Sequence, residues 1–166
     1  MRCLGIITWV VVVLAGLPQP ASAAGYGLGS TLEKVTLADQ FGARHVIDER
    51  VNVIVLTRDM AASDVIKAAL GHDGKALLDQ YRAVYVSDVS GMPTLVRQYL
   101  ALPKLKERAY PMLLDTNGDF SARLPSRDKS ATLLFLQGRK IVAVEYVATP
   151  ATFVPTLKAP KRFATR

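Results

Sequence analysis

The run VNVIVL at residues 51–56 constrains the fold more than any other feature, because only Asn52 in it is polar. A strand of this composition has no face suited to water, so it belongs inside a sheet that is covered on both faces. Helical and strand-like stretches alternate after it, and two strands around a glycine-containing turn come near the end. This alternation predicts an α/β fold with a layered core.

Local patterns give the element order. Strands are predicted where β-branched and aromatic residues concentrate, at residues 33–37, 44–47, 51–56, 84–86, 110–114, 132–136 and 140–146. Helices are predicted at 65–70, at 75–81, after the Ser90–Pro93 segment and after Thr149-Pro150. Ser63 or Asp64 is expected to cap the first helix. The third helix is expected to bury an apolar face made of Leu95, Val96, Tyr99 and Leu100.

The first 23 residues are typical of a signal peptide. A short basic start is followed by an apolar run, two prolines and the small-residue segment ending at Ala23. We expect cleavage after Ala23 and export to the periplasm; an uncleaved membrane anchor is the alternative. The apolar run is shorter than the roughly 20 residues that span a bilayer, so no transmembrane segment is expected in the mature chain.

Cleavage would remove Cys3, which is the only cysteine of the chain. A mature chain without a thiol excludes disulfide bonds, zinc bound by thiolates and a cysteine nucleophile. The expected organisation is a signal peptide at 1–23, a flexible lead-in at 24–30, one domain at 31–158 and a basic tail at 159–166.

The formal net charge of +7 is spread along the chain, with its densest cluster near the C-terminus at Lys158, Lys161, Arg162 and Arg166. Such a tail could make weak contact with an anionic surface. No basic and aromatic groove motif is present, so no nucleic-acid partner is expected.

Two segments carry a resemblance to a known superfamily. Residues 130–139, SATLLFLQGR, resemble the strand, turn and strand that follow the cis-proline of thioredoxins, and residues 37–42, LADQFG, resemble the front hairpin of peroxiredoxin-like proteins. The resemblance implies a thioredoxin-like three-layer sandwich with a central mixed sheet and an N-terminal β-hairpin. Short motifs also resemble the small exported YtfJ-like family: Ser90-Gly91-Met92, Val96-Arg97, Tyr110-Pro111 and Asp115-x-Asn117-Gly118.

The departures from the redox members decide the functional prediction. Where those proteins carry reactive cysteines, this chain has Arg58 and Asp59, and Ala131 stands at the cis-proline position. A cis bond before a residue other than proline is costly, so we expect a trans bond there. The resemblance therefore implies the scaffold without its thiol–disulfide activity.

The candidate ligand-binding residues lie where this fold places its site: Arg58, Asp59, Met60, Ser90, Gly91, Met92 and Ala131. An ordinary capped helix start is the alternative reading of the first three. No catalytic residue, metal site or cofactor is predicted. Asp115, Asn117 and Asp119 favour a tight turn over a calcium loop, and the two histidines lie far apart in sequence. Tyr85, Tyr99, Tyr110 and Tyr146 are expected in the core.

The functional prediction is an exported, redox-inactive binding or structural domain. Its partner is expected to be a protein or a small anion. The alternative is a thiol-independent enzyme or anion-binding protein that uses Arg58, Asp59 and Asp88 at the strand ends.

Overall fold

The computed structural model describes residues 25–159, so the predicted signal peptide and residues 160–166 of the predicted tail lie outside it. Within this range the chain forms seven strands: β1 (Val35–Asp39), β2 (Arg44–Ile47), β3 (Val53–Thr57), β4 (Ala83–Asp88), β5 (Leu113–Asp115), β6 (Ala131–Gln137) and β7 (Lys140–Val147). They build one mixed sheet in the order β2-β1-β5-β4-β3-β6-β7. Every predicted strand is present, with ends within three residues of the prediction.

The helices are α1 (Met60–Leu70), α2 (Gly74–Gln80), α3 (Thr94–Val96), α4 (Leu102–Lys106) and α5 (Pro150–Lys158). A π-helical turn, Arg97–Ala101, joins α3 to α4, and we call the continuous piece 94–106 the connecting helix. A 3₁₀ turn, Ser121–Arg123, precedes β6. The predicted helix order is confirmed, although two helices differ from the prediction in ways described below.

Strand β3 lies inside the sheet as predicted. It runs parallel to β4 and antiparallel to β6, and its five residues are all buried. Val53 and Val55 face a cluster that includes Ile66 of α1 and Phe153 of α5. Ile54 and Leu56 face the opposite cluster, which residues 25–34 and 120–124 help to cover. The alternation of strand side chains therefore places β3 between two apolar layers.

The start of α1 differs from the prediction. The helix begins at Met60 and its cap is Asp59, whose Oδ1 accepts the N–H of Ala62 at 2.8 Å. Ser63 and Asp64 lie inside the helix, so the prediction that one of them is the cap is wrong. Both are good capping residues, but the first carboxylate after β3 already satisfies an amide of the first turn.

The apolar face predicted for the third helix is exposed, which corrects the prediction. Leu95, Tyr99 and Leu100 are 70%, 67% and 62% exposed, and Val96 is 40% exposed. The connecting helix contacts the core instead through Leu102 and Leu105, which are partly buried. Tyr99 is therefore not a core residue, and Tyr146 is only half-buried. Tyr85 and Tyr110 are buried as predicted.

The two outer strands are held by local contacts. At the β1–β2 turn, Asp39 accepts the N–H groups of Phe41 and Ala43 and pairs with His45 at 2.9 Å. On the opposite edge, backbone bonds join residues 29–32 to β7. None of the helices between residues 25 and 159 is long and apolar enough to cross a membrane.

Candidate functional site

A cleft of about 430 Å³ opens at the carboxyl ends of the parallel strands β3 and β4. We call it the β3–β4 cleft, and its walls come from the start of α1 and from the loop that follows β4. Its lining residues are Arg58, Asp59, Met60, Ser63, Ser87, Asp88, Val89, Ser90, Gly91, Met92 and Pro93. Ligands of open α/β sheets bind outside the carboxyl ends of the strands, so this cleft is the candidate site.

Asp59 has a structural role at the edge of the cleft. One carboxylate oxygen caps α1, and the other accepts the N–H of Lys129 at 2.9 Å. Lys129 has a φ of 56°, an unfavourable conformation for a residue with a side chain. Asp59 therefore links the start of α1 to the loop before β6, and each of its carboxylate oxygens already accepts a hydrogen bond.

Arg58 forms an ion pair across the mouth of the cleft. Its Nε donates to Asp88 at 3.1 Å, and its Nη1 donates to the hydroxyl of Ser126 at 3.2 Å. The other oxygen of Asp88 accepts both the amide and the hydroxyl of Ser90. The alternative prediction groups Arg58, Asp59 and Asp88 at the strand ends, and the structure brings Arg58 and Asp88 into direct contact.

The Ser87 hydroxyl has no hydrogen-bond partner in the described part of the chain, residues 25–159. The side chain lines the cleft, and the residue is only 6% exposed. The amides of Met60 and Ala61, at the start of α1, likewise have no acceptor within that range. Met60 and Ala61 are exposed, and the buried side-chain polar atoms that lack a partner in the described residues belong to Ser121 and Arg123. The Ser87 hydroxyl and the two amides are therefore open to water, and a ligand oxygen can replace that water as their acceptor.

The polar groups beneath the cleft are already paired. Thr57 lies at the centre: its hydroxyl is 3.1 Å from that of Tyr85 and accepts a bond from Ser63 at 3.2 Å. Burial raises the pKa of Tyr85 above its ordinary value, so the phenol stays neutral at physiological pH. This network supports the floor of the site and offers no acid or base.

The loop after β5 packs against Ser90, a residue that lines the cleft. Gly118 has a φ of 79°, and a Cβ added to it would lie 2.7 Å from the Ser90 hydroxyl. The carboxylate of Asp115 accepts the amides of Gly118, Phe120 and Ser121, which folds this segment into a compact turn. Two motifs that the sequence singled out, at residues 90–92 and 115–118, are therefore neighbours in space.

Six of the seven predicted binding residues line the cleft together, namely Arg58, Asp59, Met60, Ser90, Gly91 and Met92. Ala131 is not among the lining residues; it is fully buried at the start of β6. All peptide bonds between residues 25 and 159 are trans, as expected at Ala131. Sequence reasoning missed Ser87, whose only signal was a hydroxyl at the end of an apolar strand.

Neither a metal centre nor a catalytic triad is assembled in the described part of the chain. Within residues 25–159, no three or more His, Cys, Asp or Glu side chains lie close enough together to hold a metal ion. His45 pairs with Asp39 on the β1–β2 hairpin, and His72 lines a separate groove with Arg108. The Ser90 hydroxyl bonds Asp88 without a histidine between them, so the arrangement lacks the base that activates a serine.

No model of a known protein family and no curated protein matches the sequence. Solved structures do match. The peroxidoxin BcpB from Mycobacterium tuberculosis is 18% identical, with a TM-score of 0.52 over 81% of this chain and 97% of that one. A proposed protein disulfide isomerase from Bacteroides thetaiotaomicron is 17% identical, with a TM-score of 0.57 over 81% of this chain and 89% of that one. An uncharacterized thioredoxin-like protein from Porphyromonas gingivalis is 16% identical, with a TM-score of 0.50 over 80% of this chain and 92% of that one.

The fold is thioredoxin-like. The predicted scaffold, a mixed sheet with flanking helices and an N-terminal hairpin, is thereby confirmed. At these identities the similarity shows the fold alone, and the narrower resemblance to the YtfJ-like family stays a prediction. In this thioredoxin-like chain the loop between β3 and α1 contains Arg58 and Asp59 and no cysteine.

Proposed function

We propose that this protein is an exported, redox-inactive, thioredoxin-like binding domain whose β3–β4 cleft holds a small ligand through a carbonyl or carboxylate oxygen. The observation that carries the proposal is the Ser87 hydroxyl, which lines the cleft and has no hydrogen-bond partner among residues 25–159. The free amides of Met60 and Ala61 add donors at the positive end of α1. A ligand oxygen would replace water as the acceptor for these groups.

The absence of thiols in the cleft supports redox inactivity. An intramolecular disulfide needs two cysteines, and the chain has only Cys3, within the predicted signal peptide. Export is inferred from residues 1–23, whose basic start, apolar run and small-residue end are those of a cleavable signal.

The charges of the cleft narrow the ligand class. One cation, Arg58, stands beside two carboxylates, Asp59 and Asp88, so the cleft has no positive excess. A doubly charged phosphate or sulfate would be repelled more strongly than a monocarboxylate, and a neutral carbonyl can accept the same hydrogen bonds without repulsion. Met60, Val89, Met92 and Pro93 provide apolar contacts for the rest of the ligand.

A thermal-shift titration tests this proposal. The probes are monocarboxylic acids and their amides with aliphatic or aromatic bodies, compared with inorganic phosphate and sulfate. We expect a saturable rise in Tm with members of the first group only, since a ligand at about 100 times its Kd stabilises the folded state by about 2.7 kcal/mol.

Ser87→Ala should abolish this response. Ser121→Ala is the matched control, because it removes the hydroxyl of another serine that lacks a partner in the described structure but does not line the cleft. The control should respond as the parent does. An equal response of Ser87→Ala and the parent, or no response of the parent to any carbonyl or carboxylate compound, would contradict the proposal.

A further inference from the structure

The connecting helix presents an apolar surface that the domain does not cover. Leu95, Tyr99 and Leu100 each expose more than three fifths of their surface, and Val96 adds a fourth apolar side chain. Four large apolar residues exposed within two helical turns form a contiguous patch, unlike the isolated apolar residues common on protein surfaces. Pro93 directly precedes this helix and lines the β3–β4 cleft. Met60, which is 70% exposed, lines the same cleft and is a further exposed apolar side chain.

Basic residues accompany this apolar surface. Residues 94–108 contain four cations, Arg97, Lys104, Lys106 and Arg108, and a single acid, Glu107, which gives this segment a charge of +3. Lys104 and Lys106 are exposed, while Arg97 and Arg108 are half-buried. A helix that combines Leu and Tyr with exposed lysines has the composition of segments that lie in a membrane interface.

The shape of the surface also bears on its partner. The side chains of Leu95, Tyr99 and Leu100 are 62–70% exposed and protrude from the domain. Protein interfaces concentrate their binding energy in desolvated pockets, which protruding side chains do not themselves provide. The boundary between lipid headgroups and acyl chains accepts protruding apolar side chains without needing a matching shape.

The same charges argue against a second copy of this chain. In a two-fold interface the same patch meets itself, so the cations of one helix would approach those of the other. An anionic bilayer supplies charge of the opposite sign over its whole surface.

We propose that the connecting helix docks this protein on an anionic lipid surface. Leu95, Tyr99 and Leu100 enter the headgroup–acyl boundary, and Lys104 and Lys106 contact the anionic headgroups. This segment lies elsewhere in the sequence than the predicted basic tail, and its docking does not depend on the ligand of the β3–β4 cleft.

Vesicle sedimentation of the purified full chain tests the proposal. The parent should bind vesicles of equimolar phosphatidylcholine and phosphatidylglycerol more tightly than vesicles of phosphatidylcholine alone. Binding should weaken between about 0.1 M and about 1 M salt, over which the screening length falls from about 10 Å to about 3 Å. If the parent does not bind the anionic vesicles, the proposal is overturned.

The apolar contribution is tested by combining Leu95→Ser with Tyr99→Ser, which should weaken binding by about tenfold or more. The matched control combines Leu28→Ser with Val46→Ser, two apolar residues that are 57% and 46% exposed outside the connecting helix. The control should bind within about twofold of the parent. All variants share residues 1–24, so any contribution of that segment cancels from the comparison.

The charge contribution is tested by combining Lys104→Gln with Lys106→Gln, which should weaken binding by about fivefold for each cation removed. Its control combines Lys34→Gln with Lys75→Gln, two exposed lysines in surface ion pairs elsewhere. Equal effects of the two pairs would mean that only net charge matters, which contradicts docking by this helix.

A direct readout of insertion is the fluorescence of Tyr99→Trp, measured as a difference from the parent. It should shift to shorter wavelength with the anionic vesicles, because the indole leaves water. Two results would assign the surface differently: loss of binding on deletion of residues 159–166 alone, or a dimer of the parent in sedimentation equilibrium that Leu95→Ser with Tyr99→Ser dissociates.

Discussion

Gly118 illustrates how one residue shapes the candidate site. It combines a φ of 79°, which favours glycine, with a Cβ position only 2.7 Å from the Ser90 hydroxyl. Gly138, in the β6–β7 turn, has a φ of 61° but open space around its Cβ position. A side chain at Gly138 would meet backbone strain alone, whereas a side chain at Gly118 would meet both backbone strain and a collision with Ser90.

Gly138→Ala should lower the free energy of unfolding by about 1–2 kcal/mol, the cost of left-handed backbone alone. Gly118→Ala should lower it by at least about 1 kcal/mol more, because the displaced Ser90 hydroxyl loses its bond to Asp88. Urea denaturation of both variants measures the difference. Equal losses would show that Ser90 moves aside without consequence.

At the scale of elements, Asp59 joins two parts of the chain that are 70 residues apart in sequence, the start of α1 and the loop at Lys129. Losing a helix cap costs about 0.5–2 kcal/mol, and a second hydrogen bond adds to this. Asp59→Ala should therefore lower the free energy of unfolding by about 1–3 kcal/mol. It should also speed hydrogen exchange of the Lys129 amide, which loses its acceptor.

Asp64→Ala is the control, since this residue looks equally suited to cap α1 in the sequence but lies inside the helix and its side chain makes no hydrogen bond with residues 25–159. Its free energy of unfolding should stay within about 0.5 kcal/mol of the parent. If Asp64→Ala were as damaging as Asp59→Ala, the cap assignment would be wrong.

At the scale of the whole molecule, Asp39 links stability to pH. Burial of this carboxylate raises its pKa, but the hydrogen bond with His45 and the amides of Phe41 and Ala43 together outweigh burial, so the pKa is lowered. A carboxyl whose pKa is lower in the folded state stabilises the protein above its unfolded pKa of about 3.9. That contribution is lost as the pH falls through the folded pKa.

Asp39→Asn should therefore be less stable than the parent at neutral pH and should lose less stability on acidification. Denaturant unfolding between neutral pH and acid, with Asp73→Asn as an exposed control, measures both slopes. The same acid slope for Asp39→Asn and the parent would show that this carboxylate does not contribute.

Much of the fold could be predicted because it depends on neighbours in sequence. The β3 run, the β6–β7 hairpin with its glycine turn, and Pro150 at the start of α5 all follow from local patterns. Six residues that line the β3–β4 cleft could be named together because the strand ends of this kind of sheet lie at one edge. Ser87 could not be singled out, since an unpartnered hydroxyl is a property of its surroundings.

The sequence by itself determined the order of elements, the buried position of β3 and the absence of cysteine from the cleft, because composition and periodicity act over a few residues. Only the tertiary structure decided that Asp59 and not Ser63 caps α1, since the loop at Lys129 is needed to hold it. It also decided that Leu95, Tyr99 and Leu100 face outward. An apolar stripe shows that a helix has a face to cover, but only the packing of the whole chain determines whether the domain covers it.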